Sequence, residues 1–355
     1  MKFTCEKNAL VSAISVASRT VAQKSTIPAL EGIYIRAGVK LTLSGYNLET
    51  GITISVDADI QETGACIMPS RLFFDIIRKL PDDTVSISVD ENFKVSIRGG
   101  ISSFSITAMS SEDYPELPEV DSEKGIDLPQ SELKAMIGGT SFAVSENQAR
   151  PIHTGCLFEV EDSSITVVAV DGYRLALRRW KAEAPIGRTL KFVVPAAALK
   201  EAEKILGDTD ETCTFFLGSK HILFTIGEAT LVCRLLEGEF LDWRRVLPQN
   251  QPIKLAVNVA KMTDSIERVG LIISEKLKSP VRCKFGENTA DFRSVSTIGE
   301  AHDVCQIAGD GQDMEIGFNC RYLLDALRAI PDAECSLELI NGLSPIVMNP
   351  CDGSE

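Results

Sequence analysis

The sequence lacks an apolar run long enough to cross a membrane, and it has few of the residues from which enzyme sites are usually built. Only three histidines occur (His153, His221 and His302), far apart and without the spacing of metal ligands. No glycine-rich phosphate loop is present, and no Ser-His-Asp or Cys-His arrangement has a suitable spacing. These absences argue against a membrane-spanning protein and against an enzyme. We therefore expect no catalytic residue, no metal site and no cofactor.

The ten cysteines form no Cys-x-x-Cys pair. Most of them lie in apolar strand or helix patterns, where a free cysteine behaves as a small hydrophobic side chain. A disulfide framework or a zinc site is thus the weaker interpretation. Residues 1–7 lack the apolar stretch of a secretory signal. Together these features predict a cytoplasmic protein.

A repeat with a period of about 125 residues is the most informative pattern in the chain. Short apolar runs break at Pro69, Pro195 and Asn319, and each run is followed by an amphipathic helix pattern. A related pattern opens the first half of each repeat. Six copies of one helix-plus-strands unit are typical of a scaffold and not of an enzyme built around one pocket.

Hydrophobic periodicity predicts six helices with one apolar face each, separated by segments in which apolar and polar residues alternate. Alternation is strict in segments 85–89, 94–97 and 103–106, and it is typical of antiparallel strands with one buried face. We therefore predict an α+β fold of three similar domains, each with two helices packed on antiparallel sheets. The predicted domains span residues 1–120, 126–247 and 253–355.

The net charge of −14 argues against nucleic acid as a partner, but the charge is unevenly distributed. The six predicted helices together carry a positive net charge, so the remainder is more acidic than the whole chain. Such a body repels DNA from its outside and tolerates it along one helical surface. The alternative is that lysine and arginine simply favour helices, and the charge alone does not decide between them.

Several unrelated motifs follow one another along the chain. Among them are Met1-Lys2-Phe3-Thr4, Thr26-Ile27-Pro28-Ala29-Leu30, Val170-Asp171-Gly172-Tyr173-Arg174-Leu175-Ala176 and Arg244-Arg245-Val246-Leu247-Pro248. With them the whole chain resembles the bacterial replicative sliding clamp, the beta subunit of DNA polymerase III. The resemblance implies a head-to-tail homodimer closed into a ring with helices around a central hole. It also implies a non-catalytic processivity factor that encircles duplex DNA and tethers the polymerase.

The resemblance assigns three sets of residues. The set expected to face DNA is Lys24, Arg71, Arg78, Asn147 and Arg150. The set expected to line a groove for a short linear peptide is Gly172, Tyr173, Arg174, Leu175, Leu241, Arg245, Val246, Asn319 and Tyr322. The set expected at the subunit contact is Phe104 and Ile106 of one copy with Leu271 and Ile272 of the other. The implied partners are double-stranded DNA without sequence preference, the DNA polymerase III alpha subunit, the clamp loader, and other polymerases and repair proteins.

The chain departs from the family pattern at three groove positions. Val170, Leu241 and His153 stand where the resemblance leads us to expect threonine, proline and an apolar residue. The last strand, which forms part of the groove in the family, is expected to be absent.

Two other interpretations stay open on the sequence alone. An adaptor built from the same repeats would bind proteins without encircling DNA. An enzyme that uses Asp171 beside Arg174, or Asp113 near Tyr114, as an acid–base pair is a poor second to the clamp.

Overall fold

The computed structural model describes residues 1–273 and 279–351. Six α-helices lie within these residues, as predicted. They are α1 (Lys7–Ala17), α2 (Ser70–Lys79), α3 (Gln130–Gly138), α4 (Ala196–Ile205), α5 (Val259–Gly270) and α6 (Cys320–Arg328).

The strands of the described part occur both before and between these helices. In chain order they are β1 (Lys2–Glu6), β2 (Gly32–Ala37), β3 (Leu41–Tyr46), β4 (Thr50–Val56), β5 (Ala58–Glu62), β6 (Gly64–Pro69), β7 (Thr84–Val89), β8 (Lys94–Gly99), β9 (Ser102–Thr107), β10 (Ile126–Pro129), β11 (Gly155–Glu161), β12 (Ser164–Val170), β13 (Leu175–Lys181), β14 (Leu190–Pro195), β15 (Thr212–Leu217), β16 (His221–Ile226), β17 (Ala229–Arg234), β18 (Ile253–Asn258), β19 (Val281–Ser296), β20 (Gly299–Phe318), β21 (Glu334–Leu339) and β22 (Val347–Pro350).

Residue contacts divide the chain into two units. Unit 1 consists of Met1–Ala135 with Val194–Leu236, and unit 2 consists of Met136–Val193 with the residues from Glu237 onward. This grouping differs from the three predicted domains. The physical reason is an eight-stranded sheet in unit 1, of order β10-β15-β16-β17-β4-β3-β2-β6, which joins strands of the first repeat to strands of the second.

The other three sheets divide between the two units. Unit 1 also contains a five-stranded sheet of order β5-β1-β7-β8-β9. Unit 2 contains a four-stranded sheet of order β13-β12-β11-β14 and a five-stranded sheet of order β19-β20-β18-β21-β22. The strictly alternating segments lie in β7, β8 and β9, which pair antiparallel as predicted.

The apolar stripe of each helix is buried against its sheets. In unit 1, Leu10 and Ile14 of α1 and Phe73 and Ile77 of α2 are fully buried in one core with Phe3 of β1. A helix with a single apolar stripe gains stability from this packing, while its opposite face stays in water.

The same arrangement recurs in unit 2. Met262 and Ile266 of α5 lie in one core with Leu323 and Leu327 of α6 and with Phe292 of β19. Burying a leucine, isoleucine, methionine or phenylalanine side chain contributes roughly 1.5–3 kcal/mol.

The prediction that the chain lacks a last strand is wrong. Residues Val347–Pro350 form β22, which pairs antiparallel with β21 so that Leu337 lies opposite Met348. The strand is short and ends in Asn349 and Pro350, so it gives little periodic signal. Proline is tolerated there because β22 is an edge strand.

Among the described residues, no helix is both long and apolar enough to span a membrane. The cysteines in that part of the chain are free, and most are buried. Burial raises the pKa of the Cys66 thiol to about 12. Buried thiols of this kind stay protonated at neutral pH and behave as apolar side chains.

Candidate functional site

The turn after β12 brings several predicted groove residues together in unit 2. Asp171 Oδ1 accepts hydrogen bonds from the backbone N–H groups of Tyr173 (2.8 Å) and Arg174 (3.0 Å). Gly172 has φ of 95°, a conformation that L side chains rarely adopt, and this explains the glycine at that position. Tyr173 is thereby held at the tip of the turn, where 85% of its surface is exposed.

Arg174 ties this turn to α6. Its Nε donates to Asp171 Oδ2 at 3.0 Å, its Nη1 to Asp325 Oδ2 at 2.8 Å, and its Nη2 to the carbonyl oxygen of Phe142 at 2.5 Å. The guanidinium also lies 4.2 Å from the ring centroid of Tyr322. Its side chain is only 16% exposed, so the donors of Arg174 serve to hold protein segments together.

Asn319 fixes the start of α6. Its Oδ1 accepts from the backbone N–H groups of Arg321 (3.0 Å) and Tyr322 (3.3 Å), which is the capping role that asparagine commonly fills. The ring of Tyr322 then lies 6.1 Å from that of Tyr173 at an angle of 40°. Two aromatic rings from distant parts of the sequence thus meet beside the Arg174 guanidinium.

A second set of predicted groove residues lies on the segment 240–247. Phe240 and Trp243 are buried, whereas Leu241 and Val246 are 40% and 46% exposed. Arg245 is also exposed, and its Nε lies 2.9 Å from Asp242. The segment therefore alternates between side chains that anchor it and side chains that it presents to solvent.

The structure brings Gly172, Tyr173, Arg174, Asn319 and Tyr322 into one cluster. Leu175 begins β13 beside that cluster, half-buried, and pairs with Val170 of β12. The same unit also contains Leu241, Arg245 and Val246. In the described part of the chain, the hydrogen bonds and the ion pair of Arg245 and Val246 are made to Asp242 and Trp243 of the same segment.

The three departures from the family pattern have different surroundings. Val170 is buried, and Leu241 is partly exposed. The His153 ring contacts the Phe240 ring edge-on at 5.0 Å, and its Nδ1 is buried without a hydrogen-bond partner. Burial, together with the nearby charge of Arg150, lowers the pKa of His153, which favours a neutral ring at pH 7.

The residues predicted to face DNA are all exposed, three of them in unit 1 and two in unit 2. Arg71 and Arg78 lie on α2 of unit 1, and Lys24 follows α1 in the same unit. Arg78 is 3.4 Å from Asp75, and its guanidinium lies over the ring of Phe74. Asn147 and Arg150 occupy an exposed turn of unit 2.

The residues predicted at the subunit contact lie on an edge strand and just after a helix. Phe104 is 39% exposed on β9, the edge strand of its sheet, and Ile106 on the same strand is half-buried. Leu271, just after α5, is 82% exposed, and Ile272 beside it is half-buried. Exposed apolar residues on an unpaired edge strand favour pairing with another chain.

Comparison with known proteins decides the family. Models of the DNA polymerase III beta subunit match the chain in succession: the N-terminal domain at residues 1–118, the central domain at 127–242 and the C-terminal domain at 244–355. The chain belongs to the DNA polymerase III beta subunit family.

Curated relatives agree with this assignment. The Beta sliding clamp of Staphylococcus epidermidis is 32% identical, over 99% of this chain and 96% of its own length. That of Staphylococcus aureus is 31% identical over the same shares. The sliding-clamp function implied by the resemblance is confirmed, whereas the adaptor and enzyme interpretations find no support among these relatives.

Solved structures of the family show the same fold. The DNA polymerase sliding clamp of Bacillus subtilis matches with a TM-score of 0.93 at 29% identity, covering all of this chain and 96% of that one. A Pseudomonas aeruginosa clamp bound to griselimycin matches with a TM-score of 0.92 at 28% identity, covering 99% and 96%. The predicted α+β clamp fold is confirmed.

Sequence reasoning missed several residues that shape the clamp's candidate groove. Asp325 and Phe142 complete the shell around Arg174, and Glu159 contacts Trp243 and Arg244. Of these, only Glu159 gives a sequence signal. It is a carboxylate within the otherwise apolar run of β11, and a buried carboxylate requires partners.

Proposed function

We propose that two copies of this clamp close head to tail into a ring that encircles duplex DNA. The ring acts without catalysis, as a tether for the replicative polymerase. Its partners are DNA without sequence preference, the DNA polymerase III alpha subunit, the clamp loader, and other polymerases and repair proteins that share a clamp-binding motif.

The junction between β4 and β17 carries the ring proposal. Within unit 1, β4 of the first repeat pairs antiparallel with β17 of the second, with Ile52 opposite Leu231. β4 is the last strand of a β2–β3–β4 meander after a first helix, and β17 is the last strand of a β15–β16–β17 meander after a second helix. Two neighbouring repeats therefore join by pairing the last strand of one three-strand meander with the last strand of the other.

This way of joining repeats also predicts which strand of one chain pairs with which strand of a second chain. β9 ends the meander after α2, as β17 ends the meander after α4, so β9 is the counterpart of β17. Residues 299–306 of β20 pair with residues 289–296 of β19, much as β4 pairs with β3. In the described chain β18 meets β20 only at Ala308 and Ile307, which leaves the other edge of residues 299–306 unpaired.

One β9 edge and one β20 edge per chain define a heterologous interface, and such interfaces form rings when the rotation closes. The charges near the two edges are opposite. Lys94 and Arg98 are exposed on β8 beside β9, whereas Glu300 is exposed on β20. Pairing β9 with β20 of another copy also covers Phe104. Sedimentation equilibrium should therefore give twice the chain mass of 38.6 kDa.

The ring holds DNA by topology and only weakly by contact. Lys24, Arg71 and Arg78 supply positive charge toward phosphates, which gives sequence-independent attraction without reading base edges. Asn147 and Arg150 extend this set on unit 2. Clamps of this kind slide because phosphate contacts are the same at every base pair.

A double substitution tests the DNA-facing set. Replacing Arg71 and Arg78 by glutamate should shorten the retention of loaded rings on circular DNA, since two attractive charges near phosphates become repulsive. Loss of two phosphate contacts should also reduce the salt dependence of binding, by a slope of about 1 per contact. Retention is measured by gel filtration at several salt concentrations.

The matched control changes the same number of charges elsewhere. Lys181 and Lys220 are exposed and lie outside the predicted DNA-facing set. Their replacement by glutamate should leave retention close to that of the unmodified clamp. If both double variants behave alike, α2 does not face DNA.

The peptide groove is proposed around the exposed ring of Tyr173, the half-buried ring of Tyr322 and the exposed side chains of Leu241 and Val246. Aromatic and aliphatic side chains that are exposed in a free protein are frequent anchors of peptide recognition. Arg174 supports this surface from beneath, and Arg245 stays free enough to contact a peptide at the rim.

A further inference from the structure

We infer that Glu159 is a positioning residue of the peptide groove: it anchors Trp243 and Arg244 so that Leu241, Arg245 and Val246 are held in place for a partner peptide. The inference rests on the proposed function of the groove. Glu159 is not among the residues to which the family resemblance assigns a role.

Glu159 is a nearly buried carboxylate in the middle of an apolar strand. It is 7% exposed, and the residues on either side of it in β11, Phe158 and Val160, are fully buried. Oε2 accepts from Trp243 Nε1 at 3.1 Å and from Arg244 Nη1 at 2.8 Å. Oε1 lies 3.0 Å from Lys191 Nζ. Three donors therefore surround one carboxylate, as burial of a charge requires.

The protonation state of this carboxylate is set by two opposing effects. Burial raises the pKa of Glu159, but hydrogen bonds from Lys191, Arg244 and Trp243 and the charge of Arg244 together lower it further, so the net pKa lies below its usual value. Glu159 is therefore ionised at neutral pH. Its bonds to Arg244 and Lys191 are charge-assisted, and such bonds are about twice as strong as neutral ones.

The anchor acts on a segment whose exposed end is bonded mainly to itself: the backbone N–H groups of Arg245 and Val246 donate within the segment, and Arg245 pairs with Asp242. Trp243 is 3% exposed, and Arg244 lies over the Trp243 ring at 4.3 Å, so the two side chains form one block held by Glu159. Immediately after this block, the Arg245 side chain is 85% exposed and Val246 is 46% exposed. The conformation of the exposed residues thus depends on the buried ones.

Glu159 acts through Trp243 and Arg244, because its carboxylate is buried and already has three donors. Its contribution to binding is pre-organisation. A segment that is already in its bound conformation loses less entropy when a peptide binds. Releasing the anchor should therefore weaken peptide binding and leave DNA retention unchanged.

The test is Glu159→Gln in the full-length clamp. Glutamine keeps the shape and an acceptor for the Trp243 N–H, but it removes the negative charge that holds Arg244 and Lys191. Binding of a fluorescently labelled peptide carrying the clamp-binding motif of the DNA polymerase III alpha subunit is measured by anisotropy. We expect Kd to rise about tenfold, the size of the effect of losing the charge-assisted bond to Arg244, which is the one that holds the segment.

Two further readouts separate positioning from general destabilisation. The chain has two tryptophans, so 5-fluorotryptophan labelling should give two ¹⁹F signals, and Trp243→Phe identifies one of them. The Trp243 signal should shift in Glu159→Gln, while the sedimenting mass and the retention on circular DNA should not change. Glu161→Gln is the matched control, because Glu161 is exposed and lies 3.4 Å from the same Arg244. It should leave both Kd and the Trp243 signal unchanged.

Each outcome has a defined meaning. If the unmodified clamp does not bind the peptide, the proposed groove itself is wrong, and the role of Glu159 is wrong with it. If the unmodified clamp binds, and Glu159→Gln shifts the Trp243 signal without changing Kd, only the positioning role is overturned. Should Glu159→Gln fail to fold, Trp243→Phe replaces it, since it removes the N–H donor but keeps an aromatic ring. A peptide Kd unchanged in Trp243→Phe would then overturn the inference.

Discussion

Leu271→Lys is expected to convert the dimer into monomers. Leu271 is 82% exposed in the single chain, so the substitution removes little from the fold of its own subunit. In the proposed ring the side chain is covered by the β9 edge of the other copy, and lysine would place an unpaired charge there. Loss of a central apolar anchor of an interface costs about 2 kcal/mol or more. Sedimentation should show the mass fall toward the single-chain value of 38.6 kDa.

A matched control distinguishes the contact from a general effect of charge. Leu343 is fully exposed and lies in the same unit, outside the predicted contact. Leu343→Lys should leave the mass at twice the chain mass. A dimeric Leu271→Lys protein with undiminished retention on circular DNA would contradict the proposed contact.

Arg174→Ala is expected to destabilise unit 2 strongly. The substitution takes the nearest cation from two carboxylates: the Asp171 side chain is 9% exposed and that of Asp325 is 22% exposed, and Asp325 keeps only Arg321, whose Nε is 3.9 Å away. Removing one partner of a largely buried ion pair costs roughly 3–5 kcal/mol. The loss also releases the Tyr322 ring, which lies 4.2 Å from the guanidinium. Urea unfolding followed by circular dichroism measures the change in the free energy of unfolding.

Arg245→Ala is the control for this prediction. Arg245 also forms an ion pair with an aspartate three residues away, but its side chain is 85% exposed. An exposed pair of this kind contributes only about 0–1 kcal/mol. If Arg174→Ala and Arg245→Ala have the same small effect, Arg174 is not the structural centre of the cluster and remains available to a peptide.

The helices could be predicted from the sequence because their signal is local. The apolar stripe of α2, with Phe73 and Ile77, is visible within ten residues, and it is buried as expected. The start of α6 at Asn319 was also predictable, since an asparagine cap bonds only backbone N–H groups two and three residues further along the chain. The turn at Gly172 was predictable for a similar reason, since glycine is the residue that most readily adopts a positive φ.

Long-range pairing could not be predicted from local pattern. Nothing in the alternation of β4 shows that Ile52 lies opposite Leu231, and this pairing is what merges two predicted domains into one sheet. The contact of Arg174 with Asp325 spans 151 residues for the same reason. The strand β22 was missed because its four residues, which end in asparagine and proline, show no clear alternation of apolar and polar side chains.

The groove illustrates both cases. Its exposed residues, such as Tyr173 and Val246, could be proposed from short motifs. The residues that hold them in place, Glu159 and Asp325, come from other parts of the chain and were found only when the fold placed them within hydrogen-bonding distance.

Retention on circular compared with linear DNA tests the central claim most directly. The clamp is loaded onto nicked circular DNA with a bacterial clamp loader and ATP, and half of the sample is then linearised before gel filtration. A ring that holds DNA by topology should stay on the circle and be lost from the linear form, which it can leave at the ends. Equal retention on both forms would mean ordinary surface binding and would contradict the account of this chain as an encircling clamp.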